Sequence, residues 1–265
     1  MAAGPVPATS GEHMTDVFKY TWWALGHVYY DIVTLAFRGN VLWFLTVLPM
    51  IPVIGIPGGV ALQQGLSSSP ASTSTAQLFV LIVAGTLVTG LLAGPGTLAL
   101  FDSTRRFVDN EDVSLRDFWV SFRKYFWRGW IVLVLDLFAL YGLVSAFVFY
   151  TGSGQIFVQA LGFLAVYFML LWIAAQAYLF PLVVRLDMGI RHAFRNAVVM
   201  ALSSFGPSVA YVLVTLVSLV MSVLFIFPLI VFTPVTLALI GHRMTQDRLK
   251  DFGIEFPGSE PTTQP

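Results

Sequence analysis

An aspartate sits where an ionised group is expensive. Residues 133–141 read LVLDLFALY, inside a run from Trp130 to Tyr150 that is otherwise almost entirely apolar. A carboxylate at the centre of a lipid-spanning helix costs about 2.5–3.5 kcal/mol on insertion scales, so Asp136 needs a partner or a function. If its helix starts near Arg128, Asp136 lies roughly 12 Å in, at 1.5 Å per residue. The next apolar run returns and ends near Arg185, which brings Gln176 to a similar depth. Asp136 and Gln176 are therefore expected to hydrogen-bond across an antiparallel hairpin, with Arg185 or Arg106 supplying charge from the same leaflet. Such a cluster would either lock helices together or form a proton or solute site, and Asp136 fits both. Gln159 is a further polar residue in the same pair of segments.

Other chemistry finds little support. The four histidines, His13, His27, His192 and His242, are too scattered for a metal cluster, and there is no cysteine for a disulfide, thiolate or nucleophile. No HExxH, GxSxG or phosphate-loop pattern occurs. The expectation is a protein that is not an enzyme and carries no cofactor or metal. A formal net charge of zero argues against nucleic acid as a partner.

Composition explains where these residues must sit. Hydrophobic residues make up 57% of the chain and charged ones 11%, against about 25% charged in soluble domains. That much apolar surface requires lipid, so the lipid bilayer is the first expected partner. Residues 1–13 have neither the basic nor the apolar region of a signal peptide and read as disordered. Residues 14–250 read as one integral membrane domain, and 251–265 as a flexible tail.

Six apolar segments follow in order: about 40–64, broken by Pro49, Pro52 and Pro57; 77–101; 129–150; 156–184; and a 36-residue stretch, 206–241, divided by Pro228. As one helix the last stretch would measure roughly 54 Å, well beyond the ~30 Å hydrocarbon core, so two short segments are expected, about 206–226 and 228–242. With six spans, all 14 Lys and Arg residues fall on the side of the N-terminus, and the opposite loops LSSSPASTSTA and TGSGQ carry no charge. The positive-inside rule makes that side the cytoplasm, with both termini there and a multi-pass location in the cell membrane. The prolines of the first segment read as kinks, which membrane helices tolerate, or as a broken helix facing a substrate.

Between the spans lie amphipathic segments, giving an all-α fold of about six transmembrane helices in three hairpins, each preceded by an interfacial helix. Residues 16–38 place Phe18, Trp22, Leu25, Tyr29 and Ile32 on one stripe. In residues 114–130, Ser114 and Asp117 form a capping box, and Leu115, Phe118, Phe122 and Phe126 make an aromatic face expected to lie on lipid, with Ser121 and Lys124 toward water. Residues 188–204 are a third such helix, with Asp187 as the expected N-cap. Trp22, Trp23, Trp119, Trp127 and Trp130 would form a cytoplasmic aromatic belt. The basic faces of these helices anchor and orient the chain, and could also recruit anionic lipid. The units look repeated: GPGTLALFDSTRR at 94–106 and TPVTLALIGHR at 233–243 share Pro-x-Thr-Leu-Ala-Leu, and FPLVVRLDMGIR at 180–191 is a weaker third copy.

The stretches NVLWFLTVLPMIPVIG (40–55), GPGTLALFDSTRRFVDNEDVSLRDFWVSFRKYFWRGW (94–130), LDLFALY (135–141) and YLFPLVVRLDMGIRHAFRNAVVMAL (178–202) resemble the YesL-like family of bacterial integral membrane proteins. Relative to that family the chain carries an insertion of about 38 residues, 56–93. The resemblance implies a membrane protein of unassigned molecular activity, associated with transport or utilisation of carbohydrates, with other membrane transport components as partners. It supplies no catalytic or binding residues. A non-transporting accessory protein that stabilises a partner complex is the alternative, and the small residues Gly85, Gly90 and Gly94 would give it a packing face.

Overall fold

The structure, a computed structural model, describes residues 17–22, 24, 38–52, 75–109, 111, 113–225, 233–251 and 253–254. The expected disordered N-terminus, Trp23, Pro57, Pro228, the insertion up to residue 74 and the tail from 255 lie outside the described residues. Among the described residues there are helices and turns and no strand. The helices are α1 (Arg38–Val47), α2 (Thr75–Val108), α3 (Leu115–Lys124), α4 (Phe126–Thr151), α5 (Ile156–Arg185), α6 (Ile190–Ser203), α7 (Phe205–Leu224) and α8 (Thr233–Asp251).

Four of these are long and apolar enough to cross a membrane: Val80–Val108 in α2, α4, α5, and Phe205–Ser222 in α7. In lipid a helix satisfies nearly all of its backbone polar groups internally, which is why helices are the solution for such sequences. The first and last expected segments look different. Helix α1 has ten residues, about 15 Å, and gives way to a turn at Leu48 and Pro49. Helix α8 begins at Thr233 and runs on past residue 242 through Arg243, Asp247, Arg248 and Lys250, so most of it is polar and buried against other helices. Asn40, itself buried, accepts a hydrogen bond from the Val235 backbone N–H at 3.0 Å, which ties α1 to the unsatisfied first turn of α8.

Helices α2, α5 and α8, the three that carry the repeated proline motif, pack on one another and form the core. Pro95 and Pro181 lie inside α2 and α5, whereas Pro234 sits in the first turn of α8, where the missing N–H costs no ladder bond. The same sequence run thus ends up mid-helix in one copy and at a helix start in another. Small residues let these backbones approach closely: a Cβ on Gly241 would stand 2.8 Å from the Ala177 carbonyl oxygen. Backbone meets backbone closely where α2 crosses α4. A Cβ on Gly94 would stand 2.3 Å from the Gly129 carbonyl oxygen, and one on Gly129 would stand 2.6 Å from the Pro95 nitrogen. Within α2 the hydroxyls of Thr89, Thr97, Ser103 and Thr104 bond back to carbonyls one turn earlier, so they enter the packing without an unmet donor.

Helices α3 and α6 form where the sequence predicts amphipathic segments, with their faces assigned differently, whereas Leu25, Tyr29 and Ile32 of the segment 16–38 lie outside the described residues. The Ser114 backbone N–H donates to Asp117 at 2.9 Å, and the Ser114 hydroxyl accepts from the Asp117 backbone N–H at 3.4 Å, completing the capping box of α3. The bonds from Ser114 hold the Asp117 carboxyl below its ordinary range. Phe118 and Phe122, however, are buried against the rest of the protein, and the exposed apolar residues of α3 are Leu115, Trp119 and Val120. Ser121, expected toward water, is also buried, because its hydroxyl donates to Asp102 of α2 at 2.6 Å. From Phe118 to Trp130 six rings follow each other at edge-to-face angles with centroids 5.4–6.3 Å apart, carrying α3 into α4. Helix α6 begins at Ile190 with Gly189 as N-cap. Asp187 does not cap it; that residue adopts φ 46° and pairs with Arg128 at the start of α4. Phe18, Trp22, Trp119 and Trp127 are exposed, as a belt at the lipid surface requires.

The Gly94–Gly129 contact gives a direct test. Gly94→Ala should force α2 and α4 apart and lower stability by about 1–3 kcal/mol, read as reduced thermal stability in detergent. Gly142→Ala in the same α4 helix, where a Cβ would meet nothing within 4 Å, should be neutral or slightly stabilising.

Candidate functional site

The four residues singled out from sequence fall into two groups. Helices α4 and α5 run antiparallel through the short turn at Gly152–Gln155, which sets Asp136 beside Gln176. The Gln176 side-chain amide donates to the Asp136 carboxylate at 2.5 Å. Both residues are half-buried. Trp172, one turn before Gln176, brings its indole N–H toward the same carboxylate without a hydrogen bond of normal geometry. The Gln176 carbonyl oxygen likewise makes no hydrogen bond among the described residues. The Trp172 ring is stacked on Phe194 of α6, with centroids 5.8 Å apart, so its orientation is fixed from the far side.

Arg185 and Arg106 do not join this pair. They belong to a buried ionic network where α2, α3, α5 and α8 meet. Arg185, with only 2% of its side chain exposed, donates to both oxygens of Asp109, at 3.1 and 3.4 Å. Its Nε donates to His242 Nδ1 at 3.3 Å, and His242 Nε2 faces the Phe101 carbonyl oxygen at 2.7 Å. Arginine only donates, so Nδ1 is the acceptor and Nε2 carries the hydrogen: these partners fix a neutral imidazole in one tautomer. Gln246 donates to Asp109 at 3.3 Å, and Arg105 approaches it at 3.6 Å. Asp102, 1% exposed, accepts from Ser121 at 2.6 Å and from Arg105 and Arg106 at 3.2 Å each. Arg106 lies 3.8 Å from Asp117, which links the network to the capping box of α3.

Asp102, Asp109, Ser121, His242 and Gln246 were not anticipated as a site. A local sign was present, because Asp102 and Asp109 flank Arg105 and Arg106 at helical spacings. The distant partners required knowing that the ends of α2, α5 and α8 converge. Among the described residues, no three His, Asp or Glu side chains are grouped to hold a metal ion. His192 and Asn196 lie on α6, where His192 is exposed and Asn196 contacts the Met188 sulfur at 3.6 Å. Gln159 donates to the Ser153 carbonyl at 2.8 Å, an ordinary closure of the α4–α5 turn.

Breaking a buried pair leaves an uncompensated charge, which costs about 3–5 kcal/mol. Arg185→Met should therefore strongly destabilise the protein, and Asp109→Leu should do the same. The double variant should be more stable than either single one, as a double-mutant cycle of thermal unfolding would measure.

The family described as "Protein of unknown function, DUF624" matches residues 74–150, from the start of α2 nearly to the end of α4. A DUF624 domain is thus present, and it is the family to which YesL-like proteins belong. The match takes in the stretches 94–130 and 135–141, and it begins inside the segment 56–93 that had looked like an insertion. No curated protein and no solved structure matches the chain.

Proposed function

We propose that the chain is a YesL-like integral protein of the cytoplasmic membrane, non-enzymatic, which takes part in the transport or utilisation of carbohydrate. Its support is the match to the DUF624 family over residues 74–150 and four helices long and apolar enough to cross a membrane. The observation that carries the proposal is the set Asp136, Gln176 and Trp172. A pair kept only as a lock favours complete mutual satisfaction, because a half-satisfied polar group in a low dielectric is costly. Here an amide oxygen and an indole N–H remain without a hydrogen bond among the described residues. A carboxylate, an amide and an indole are suited to a polyhydroxylated solute: the first two exchange hydrogen bonds with hydroxyls, and the third presents an apolar face and one donor. The accessory reading drew on Gly85, Gly90 and Gly94, but Gly90 packs against Trp130 and Gly94 against Gly129 within the chain.

The same proposal includes six crossings in three hairpins with both termini in the cytoplasm. It is supported by the ends at which charges gather: Arg106, Arg128 and Arg185 contact partners across α2, α3, α4 and α5 at one end of the helices. Ser222 near the end of α7 meets Thr233 at the start of α8 at 3.1 Å, as a tight hairpin requires.

Two measurements test these readings. Cysteines at Ser69 and Ser153 should label from outside and one at Gly258 only from inside; outside labelling at 258 removes the last hairpin. Purified protein in proteoliposomes should take up sugars, and Asp136→Asn should fold normally while losing that uptake. Full uptake by Asp136→Asn would overturn the role of the carboxylate, and absence of uptake by the wild-type protein would favour the accessory reading.

A further inference from the structure

We propose that Asp136 and Gln176 form a proton-binding site, with Trp172 as the donor that takes over when the proton leaves. That the proton travels together with the solute rests on the uptake reading above. The binding itself does not, and follows from the hydrogen-bonding groups left over around the carboxyl.

Among the described residues the carboxyl receives one hydrogen bond, from the Gln176 amide nitrogen at 2.5 Å. Two buried polar atoms of α5 have no partner among the described residues: the Gln176 carbonyl oxygen, an acceptor, and the Trp172 indole N–H, a donor. Trp172 precedes Gln176 by one helical turn, so both lie on one face of α5, and Phe194 holds the indole ring from behind. Each leftover atom fits one state of the carboxyl. With a proton, the acid O–H donates to the Gln176 oxygen while the amide N–H donates to the acid carbonyl, closing a ring of two hydrogen bonds. The terminal torsions of Asp and Gln are broad, so the second bond needs only a turn of these two groups. Without the proton, the amide oxygen has nothing to accept and the carboxylate gains from a second donor, which is the indole N–H. A metal cation fits less well, because hard cations take about six oxygen ligands and this pair supplies too few.

No cation competes with the proton as counter-charge. Helix α4 packs on α2 and α5, and residues 80–101 of α2 and 156–184 of α5 contain no charged side chain. On α4 itself the other charged residue is Arg128, roughly 12 Å away along the helix and paired with Asp187. Helix α6 enters through Phe194, whereas its Arg191, His192 and Arg195 are exposed. Helix α8 meets α5 at Gly241 and Ala177, and the adjoining His242 is held by Arg185 and the Phe101 carbonyl. The remaining titratable groups of these spans are phenols: Tyr141 and Tyr150 of α4, Tyr167 and Tyr178 of α5, and Tyr211 of α7. Tyr141 shares a hydroxyl contact with Thr86 of α2 at 3.3 Å. Neutral phenols leave a carboxylate's charge uncompensated. An ionised carboxylate without a cation is the costly state in lipid, and a proton taken from water removes the charge.

Infrared spectra of the full chain in lipid nanodiscs, taken over a pH series without sugar, read the site directly. Subtracting the spectrum of Asp136→Asn should leave one protonated-carboxyl C=O band that disappears as pH rises. In Gln176→Leu that band should shift in frequency, because the ring of two hydrogen bonds is gone. Trp172→Phe keeps an aromatic ring against Phe194 and removes only the donor to the ionised form. It should therefore raise the proton affinity about tenfold, so that the band persists to a pH about one unit higher. It remains informative even if Asp136→Asn fails to fold. In proteoliposomes an inward proton gradient should drive sugar uptake. The proposal is overturned if no protonated band is lost in Asp136→Asn at any pH, if Gln176→Leu leaves the band in place, or if Trp172→Phe does not raise the affinity. It is equally overturned if uptake occurs but ignores the proton gradient. Should the wild-type protein take up no sugar while the band titrates as described, the proton site stands and the uptake reading falls.

Discussion

The arginine at the end of α5 is the constraint around which the basic end of the molecule is arranged. Arg185 is buried, cannot lose its proton and can only donate, so every neighbour must accept. Asp109 does so with both oxygens and His242 with its free nitrogen. Each acceptor in turn fixes something else. His242 reaches the Phe101 carbonyl and sets the rotation of α8 against α2, and Asp109 takes Gln246 from the next turn of α8. The Phe101 ring lies 5.6 Å from the imidazole and 5.0 Å from Phe180, so the ionic contacts are closed off by aromatic ones on the apolar side. Three helices that would otherwise slide on featureless apolar faces are held in register.

Glycines act in the opposite sense, by permitting approach rather than demanding it. Without a hydrophobic driving force between helices in lipid, close backbone contact must come from small residues. Gly94 against Gly129 and Gly241 against Ala177 supply it on two sides of the core. Pro95 follows Gly94 directly, so the point at which α2 gives up a backbone hydrogen bond is also the point at which α4 comes nearest.

The parts of this arrangement that were legible in the sequence are those written in local pattern. Apolar length marked α4, α5 and α7 to within a few residues, and the Ser114–Asp117 spacing marked the start of α3. The Asp136–Gln176 contact was legible because a hairpin with a four-residue turn leaves little freedom in depth. What could not be read was rotation. The aromatic stripe of α3 was visible, but periodicity cannot distinguish a face buried in lipid from one buried in protein, and Ser121 decides it by reaching Asp102. Asp187 resembled an N-cap because it precedes a helix; its side chain instead pairs with Arg128, fifty-nine positions earlier. Arg185 and Arg106 were placed near one another in depth, yet their acidic partners Asp109 and Asp102 come together with them only where the ends of α2, α5 and α8 converge.

The two polar groups differ in a way that bears on what each can do. In the network at the basic end, Arg185, Asp109, Asp102 and His242 hold one another in place, and removing any one strands a buried charge or donor. Such a group is stiff and has no capacity to exchange partners. Asp136 stands in the apolar part of the chain with one amide bond and an indole nearby, in the α4–α5 hairpin, little of which is buried inside the protein. Few neighbours constrain it, so the cost of keeping it there is not offset by order imposed elsewhere. A carboxylate held by so few partners can exchange its bond, which is the property on which the proposed solute role rests.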